Sequence, residues 1–212
     1  MDIKVKQTME ALEKNNMSAF YVETKADVVP LVESLLKEGD TVAVGGSMSL
    51  FETGVIDLLR NGKYTFLDRY AENLQPADIE EIYRRSYYAD CYFCSSNAVT
   101  VEGELYNVDG NSNRVSAIAY GPKSVIMVVG VNKIVDNIDE AVLRVKNVTA
   151  PLNARRLSCD TYCAKTGHCV KNDATYEGCK SPGRICRSRL ISDEQRVKGR
   201  IKVIFVGESV GF

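Results

Sequence analysis

The sequence predicts an α/β fold of three layers, with helices on both sides of a mainly parallel sheet, in one domain spanning residues 1–212. Three observations predict it. Short apolar runs alternate with helix-period segments along the chain, as in successive strand–helix units. The run Ser124–Val129 is continuously apolar, which suits a strand covered on both faces. Turn and capping residues stand at the changes of period.

The elements follow in order. Residues 3–16 carry Ile3, Met9 and Leu12 at helical spacing among charges, and Met17–Val22 reads as a strand. Thr24 opens a helix through Leu36 that stops at Gly39, and Thr41–Val44 is a buried-type strand running into Gly45-Gly46. Leu50–Arg60 reads as a helix and Tyr64–Leu67 as a strand; Pro76–Arg85 is a helix, followed by a strand at Cys91–Cys94. Residues 98–108 alternate apolar and polar around Glu102-Gly103-Glu104, the pattern of a hairpin. After the strand at 124–129, Ile138–Val148 is a helix and Ile201–Val206 a last strand ending in Gly207-Glu208. Between these two lies an irregular cysteine-rich insertion, residues 158–190.

Composition excludes several classes of partner. The 27 basic and 28 acidic residues nearly cancel, so no global field draws the chain to nucleic acid or a membrane surface. No apolar run approaches the ~18–20 residues that span a bilayer. The start, Met1-Asp2-Ile3-Lys4, is charged and lacks an apolar secretory core, which gives a cytoplasmic expectation and reduced thiols.

The thiols are the most informative chemistry. Five of the seven cysteines fall within 28 residues: Cys159, Cys163, Cys169, Cys179 and Cys186. Eight basic residues against three acidic ones lie between Arg155 and Arg189, surroundings that favour thiolates. The spacing matches neither the paired halves of zinc ribbons nor the ferredoxin run. Ligation by four of the five is the expectation, with an iron–sulfur cluster as cofactor and zinc as the alternative. Cys91 and Cys94, inside a strand-like run, read as buried and inert, and the single His168 as an exposed loop residue.

Other candidates sit at turns and strand ends. Gly45-Gly46-Ser47-Met48-Ser49 has the form of an anion-binding turn, with Gly45, Gly46, Ser47 and Ser49 as ligand contacts. The same stretch, Ser49 to Glu52, reads equally as a helix capping box. Asp109-Gly110-Asn111-Ser112-Asn113-Arg114 is turn chemistry, in which Arg114 could grip a carboxylate or phosphate and Asp109 and Asn113 could assist. Asn132, Lys133 and Glu208 stand beyond strand ends, where open α/β sheets bind ligands. A small anionic substrate, organic acid or phosphate, is the implied partner.

With these segments in hand, the chain resembles the lactate-utilisation (LUD) domain family. The matching stretches are 45–54, 109–114, 121–135, 150–157 and 206–208. The resemblance implies the fold shared by ribose-5-phosphate isomerases, glucosamine-6-phosphate deaminases and CoA transferases. The subfamily most resembled is short and bears a cysteine tail, in which Cys163, Cys169, Cys179 and Cys186 match and Cys159 is additional. It further implies a role in oxidising lactate-type acids, alone or as an accessory, beside an iron–sulfur partner subunit. Two alternatives stand beside that expectation. One is an isomerase or acyl/CoA transferase using Glu52 or Glu208 as carboxylate base or nucleophile, with Lys133 for charge and the cysteines structural. The other is a non-catalytic regulatory or interaction module. A homo-oligomer is a further candidate.

Overall fold

The computed structural model describes residues 1–212. Helix α1 (Ile3–Lys14) is capped by the Asp2 carboxylate, which accepts from Lys4 N–H. Its buried face is Val5, Thr8 and Leu12, so Ile3 stays in solvent and the apolar stripe is rotated from the one the spacing predicts. Strand β1 (Ser18–Val22) leads to a single 3₁₀ turn at Lys25–Asp27 and helix α2 (Val28–Leu35). The Asp27 carboxylate accepts from Thr24 N–H, closing the start of that segment. Strand β2 (Thr41–Val44) follows. The predicted helix 50–60 is two short ones, α3 (Met48–Glu52) and α4 (Val55–Leu59), broken at Thr53-Gly54.

Strand β3 (Thr65–Leu67), helix α5 (Pro76–Arg85) and strand β4 (Cys91–Cys94) match their predicted places. Strands β5 (Ala98–Thr100) and β6 (Leu105–Asp109) form the expected antiparallel hairpin. Helix α6 (Asn113–Ala119) occupies a stretch that reads as a turn, and strand β7 (Ser124–Gly130) runs behind it. After the short strand β8 (Ile134–Val135), helix α7 (Ile138–Arg144) does not end at Val148. It passes through a π turn, Val145–Thr149, into helix α8 (Ala150–Arg156), with Pro151 in the first turn where its missing N–H costs nothing. The cysteine segment contains helix α9 (Tyr162–Thr166) and rejoins the body as strand β9 (Ser188–Ser192); strand β10 (Ile201–Val206) completes the chain.

Six strands form one parallel sheet in the order β1-β10-β7-β4-β2-β3. Alternate residues of its strands enter two separate cores, as the pleat requires. Val42, Val44, Phe93, Ile126, Val128 and Ile204 pack with α2, α3 and α4 on one face. Tyr92, Cys94, Val125, Met127, Val203 and Phe205 pack on the other with α1, α6 and the hairpin. This is the three-layer arrangement expected. The hairpin belongs to a second sheet, β8-β5-β6-β9, whose outer side packs on α7 and the π turn. No helix is long and apolar enough to cross a membrane.

Candidate functional site

Four neighbouring strands, β10, β7, β4 and β2, end at the same edge of the sheet, and the residues after each converge on one cleft. Gly46 and Ser47 follow β2, Ser95, Ser96 and Asn97 follow β4, and Lys133 closes the turn after β7. Gly211 and Phe212 return to the cleft beyond β10, while Thr149, Asn153 and Arg156 face it from the π turn and α8. The void between these residues, open solvent included, is about 390 Å³. Its lining carries three basic side chains (Arg114, Lys133, Arg156), four hydroxyls (Ser47, Ser95, Ser96, Thr149) and no acidic side chain. Such a cleft favours a small anion on Coulombic grounds alone.

Lys133 lies at its floor. The side chain is only 3 % exposed, and Nζ donates to Ser49 Oγ at 2.9 Å and Ser95 Oγ at 3.0 Å. Burial, and then the nearby Arg144 and Arg114 guanidinium groups, lower its pKa to about 7. The amine can therefore be charged or neutral near pH 7, and a proton acceptor of that strength suits acid–base work.

Arg114 is held differently. Nη1 donates to Ser95 O at 3.1 Å and Asn107 Oδ1 at 2.6 Å; Nη2 donates to Asn97 Oδ1 at 2.8 Å and Val108 O at 2.7 Å. All four terminal N–H groups are thus committed to protein, so the bidentate grip expected of Arg114 is closed as the side chain stands. It braces the loop after β4 against β6 and supplies positive field. Gly45 makes room for it: a Cβ there would stand 2.9 Å from the Tyr92 hydroxyl and 3.0 Å from Arg114 Cδ.

Two groups remain open to a ligand. Ser47 Oγ is buried in the cleft wall with no hydrogen-bond partner. Arg156 donates through Nε and Nη2 to Asn153 Oδ1, which leaves Nη1 uncommitted.

The other predicted residues fall elsewhere. Ser49 is not an N-cap: Ser47 holds that position, and Ser49 sits inside α3 with its hydroxyl on Lys133. Glu52 does not close a capping box but accepts from Gly211 N–H at 3.0 Å. Asn132 pins the C-terminal segment, donating to Gly211 O and accepting from Val210 N–H. Glu208 points away from the cleft and accepts from Lys25 N–H at 2.6 Å. The Asp109 carboxylate accepts from the Arg114 and Val115 N–H groups, capping α6, and Asn113 lines a separate surface groove beside α5. Neither Glu52 nor Glu208 reaches the cleft lining.

Ser95, Ser96, Asn97, Thr149, Asn153 and Arg156 were missed at the level of sequence. The first three had a usable signal, since they directly follow the strand 91–94 and the strand-end rule applies to them equally. The last three depend on the helix continuing past Pro151.

The cysteines form a second locus. Cys163, Cys169, Cys179 and Cys186 line one narrow pocket, and Cys159 is not part of it. Its inner wall is Tyr106 and Val108 of β6 with Val142, Val145 and Ala150. Burial pushes the Cys186 thiol up, and the neighbouring Cys179, Cys169 and Cys163 add to that. No three His, Cys, Asp or Glu side chains are placed to hold a single metal ion. His168 is exposed against the Tyr162 ring. Cys91 and Cys94 lie in opposite cores, buried, with their thiols pushed up to about 12 by desolvation.

Fold and site together define a protein of the α/β class with a cleft of basic and hydroxyl side chains at its strand ends. Comparison with known proteins gives the family: the LUD domain model matches residues 5–206, and the chain belongs to that family. It is a lactate-utilisation-like protein. Among solved structures, a DUF162 family protein from Deinococcus radiodurans is similar over 96 % of both chains, with a TM-score of 0.52 at 17 % identity, a likeness of fold. No curated protein matches the sequence.

Proposed function

We propose that the chain is the acid-binding component of a lactate-type oxidation: the cleft holds a small 2-hydroxy or 2-oxo acid and Lys133 takes or returns its hydroxyl proton. The observation that carries this reading is the buried Lys133 amine, with a pKa lowered to about 7, in a cleft lined by basic side chains and hydroxyls without one acidic side chain. A carboxylate would accept from Arg156 Nη1 and Ser47 Oγ, while the 2-oxygen faces Lys133. Oxidation to the 2-oxo acid releases two electrons and two protons. Lys133 receives the hydroxyl proton, and the C2 hydrogen leaves with the electron pair as a hydride equivalent to a two-electron acceptor in a partner, which an iron–sulfur subunit then re-oxidises one electron at a time. The family membership supports the acid as substrate.

The isomerase or acyl-transferase alternative gains nothing from Glu52 and Glu208, whose carboxylates are not in the cleft lining and are spent on the backbone N–H groups of Gly211 and Lys25. Calorimetric titration with L-lactate, pyruvate and inorganic phosphate separates the readings. Binding of the two organic acids, weakened at least tenfold by Lys133→Met, is the expected result. Phosphate binding alone would favour sugar-phosphate chemistry, and no binding of any of them a non-catalytic module.

A further inference from the structure

Arg69 stands at the mouth of the same cleft without a partner of its own. It follows β3 directly, and β3 pairs in parallel with β2, so its strand end lies at the same edge of the sheet as the other four. A Cβ on Gly46 would lie 3.9 Å from Arg69 Nη1 and 3.9 Å from the Tyr70 hydroxyl, and Gly46 lines the cleft. The guanidinium therefore approaches the cleft across a residue that has no side chain.

Two buried side-chain polar atoms of the chain lack a hydrogen-bond partner, Ser47 Oγ and Arg69 Nε, and both stand beside Gly46. Folded chains pair nearly all such atoms, so two orphans at one place call for an explanation. Both can donate, and no acceptor faces either. The carboxylate next in sequence, Asp68, is spent on Arg60 Nε and Tyr70 N–H, both at 2.8 Å. Aromatic rings hold the guanidinium instead, its carbon lying 4.7 Å from the centre of Tyr83 and 5.3 Å from that of Tyr70. Such contacts restrain the group while leaving N–H groups free for hydrogen bonds. Burial raises the Tyr70 pKa, and the charges of Arg69 and then Arg156 oppose that rise, so both arginines act on one phenol at the cleft mouth.

The open donors exceed what one carboxylate can use. Arg114 is committed to protein acceptors, but Arg156 Nη1, Ser47 Oγ and Arg69 are not. A monocarboxylate on Arg156 and Ser47 leaves Arg69 without an anion, and the cleft lining has no acidic side chain to supply one. Resting on the acid-binding reading of the cleft, we infer that Arg69 selects for a second anionic group, carboxylate or phosphate, at the far end of the 2-hydroxy or 2-oxo acid. A planar guanidinium fork receives either group through two parallel hydrogen bonds.

Calorimetric titration of the full chain compares L-lactate with two acids that add one anion to the same 2-hydroxy acid frame. L-malate adds a carboxylate, and 3-phosphoglycerate adds a phosphate. One of the two should bind about tenfold or more tightly than lactate, and which one does so names the anion. The tighter acid should compete with lactate for one site. In Arg69→Met the preference, read as the ratio of dissociation constants, should fall to about one, and Arg69→Lys, which keeps the charge without the fork, should restore part of it. Equal affinity for all three acids in the unaltered chain overturns the inference, whether or not a variant folds. A preference that survives in Arg69→Met overturns it too, as does simultaneous binding of lactate and the tighter acid. Lactate binding without any preference sinks the role of Arg69 alone, whereas failure of all three acids to bind sinks the cleft reading with it. A preference that depends on Arg69 and persists in Lys133→Met upholds Arg69 and removes Lys133 from acid recognition.

Discussion

Replacing Lys133 by methionine should stabilise the fold while weakening its ligand affinity at least tenfold. Folding takes the Lys133 pKa from 10.5 to about 7, which at pH 7 costs roughly 4 kcal/mol relative to a group with no shift. Methionine of similar length removes that cost but loses two hydrogen bonds, each of about 1 kcal/mol. The two hydroxyls keep other partners, Ser49 Oγ on Val210 O and Ser95 Oγ on Ser96 O, both at 3.3 Å. The variant should therefore gain about 2 kcal/mol at pH 7, raising Tm by roughly 4–8 °C for a chain of this size. The pH dependence has a definite sign. Between pH 7 and 10.5 the unfolded chain holds a proton on Lys133 that the folded chain has lost, so wild-type stability rises with pH through this window. The advantage of the variant should shrink by about 2 kcal/mol from pH 7 to pH 9. Urea unfolding of both proteins at pH 6, 7, 8 and 9 measures it. A difference that stays flat across this range would refute the depressed pKa, and a variant several kcal/mol less stable at pH 7 would refute the assigned cost of burial.

Three further outcomes are expected. Arg114→Lys keeps the charge but loses the fork that joins Ser95, Asn97, Asn107 and Val108, and chemical denaturation should show a loss of at least about 3 kcal/mol; a loss under ~1 kcal/mol would mean that the brace is dispensable. Gly211→Ala places a Cβ 2.6 Å from Ser49 Oγ and 3.0 Å from Lys133 Nζ at a φ of +60°, so it should cost about 1–3 kcal/mol and lower organic-acid affinity. Unchanged affinity in a titration would show that the C-terminal segment leaves the cleft in solution. In the folded metal-free chain at pH 8, an aromatic disulfide reagent should label the five tail thiols and spare Cys91 and Cys94, whose thiols are held near 12; labelling of Cys91 as fast as Cys159 would contradict the core packing.

The sheet could be read from the sequence because its central strands are buried on both faces and so carry unbroken apolar runs, as at Ser124–Gly130. The anion-turn reading of Gly46 and Ser47 and the strand-end rule at Lys133 point to residues of one cleft, whereas the same rule at Asn132 and Glu208 does not. What escaped were elements whose local signals compete. Asp109-Gly110-Asn111-Ser112 reads as a turn, and it is one, but the Asp109 carboxylate also caps α6, so the chain turns and starts a helix at once. Pro151 reads as a stop, yet it occupies a first-turn position and the helix passes through a π turn to reach it. Strand β9 has an irregular neighbourhood and is recruited by β6 at long range, which no local pattern encodes. The roles of Arg114 and Ser49 escaped for another reason. Both are polar and near an anion turn, but only tertiary contacts reveal that one is spent on carbonyls and the other on an amine.

That division of donors leads to a last expectation. Arg114 shapes the field without offering a hydrogen bond, and Arg144 is likewise committed to Asn97 O and Thr149 Oγ1. Their charges depress Lys133, and a bound carboxylate would offset them. A full negative charge about 4 Å from Nζ contributes about 4 kcal/mol at an effective dielectric constant near 20, equivalent to roughly 3 pKa units. Binding should therefore carry the Lys133 pKa from about 7 back toward 10, so that near neutral pH the bound amine is set to donate to a 2-oxo acid and takes a hydroxyl proton only through its minor neutral form. At pH 8 the free amine is mostly neutral and the bound one mostly charged, so each binding event takes up close to one proton; at pH 6 the amine is already charged and uptake falls near zero. Titrations of L-lactate or pyruvate in buffers of different ionisation enthalpy report this number directly. Organic-acid binding at pH 8 with no proton uptake would place the carboxylate away from Lys133 and remove that residue from the chemistry, whereas uptake that also vanishes in Lys133→Met would assign the proton to this one nitrogen.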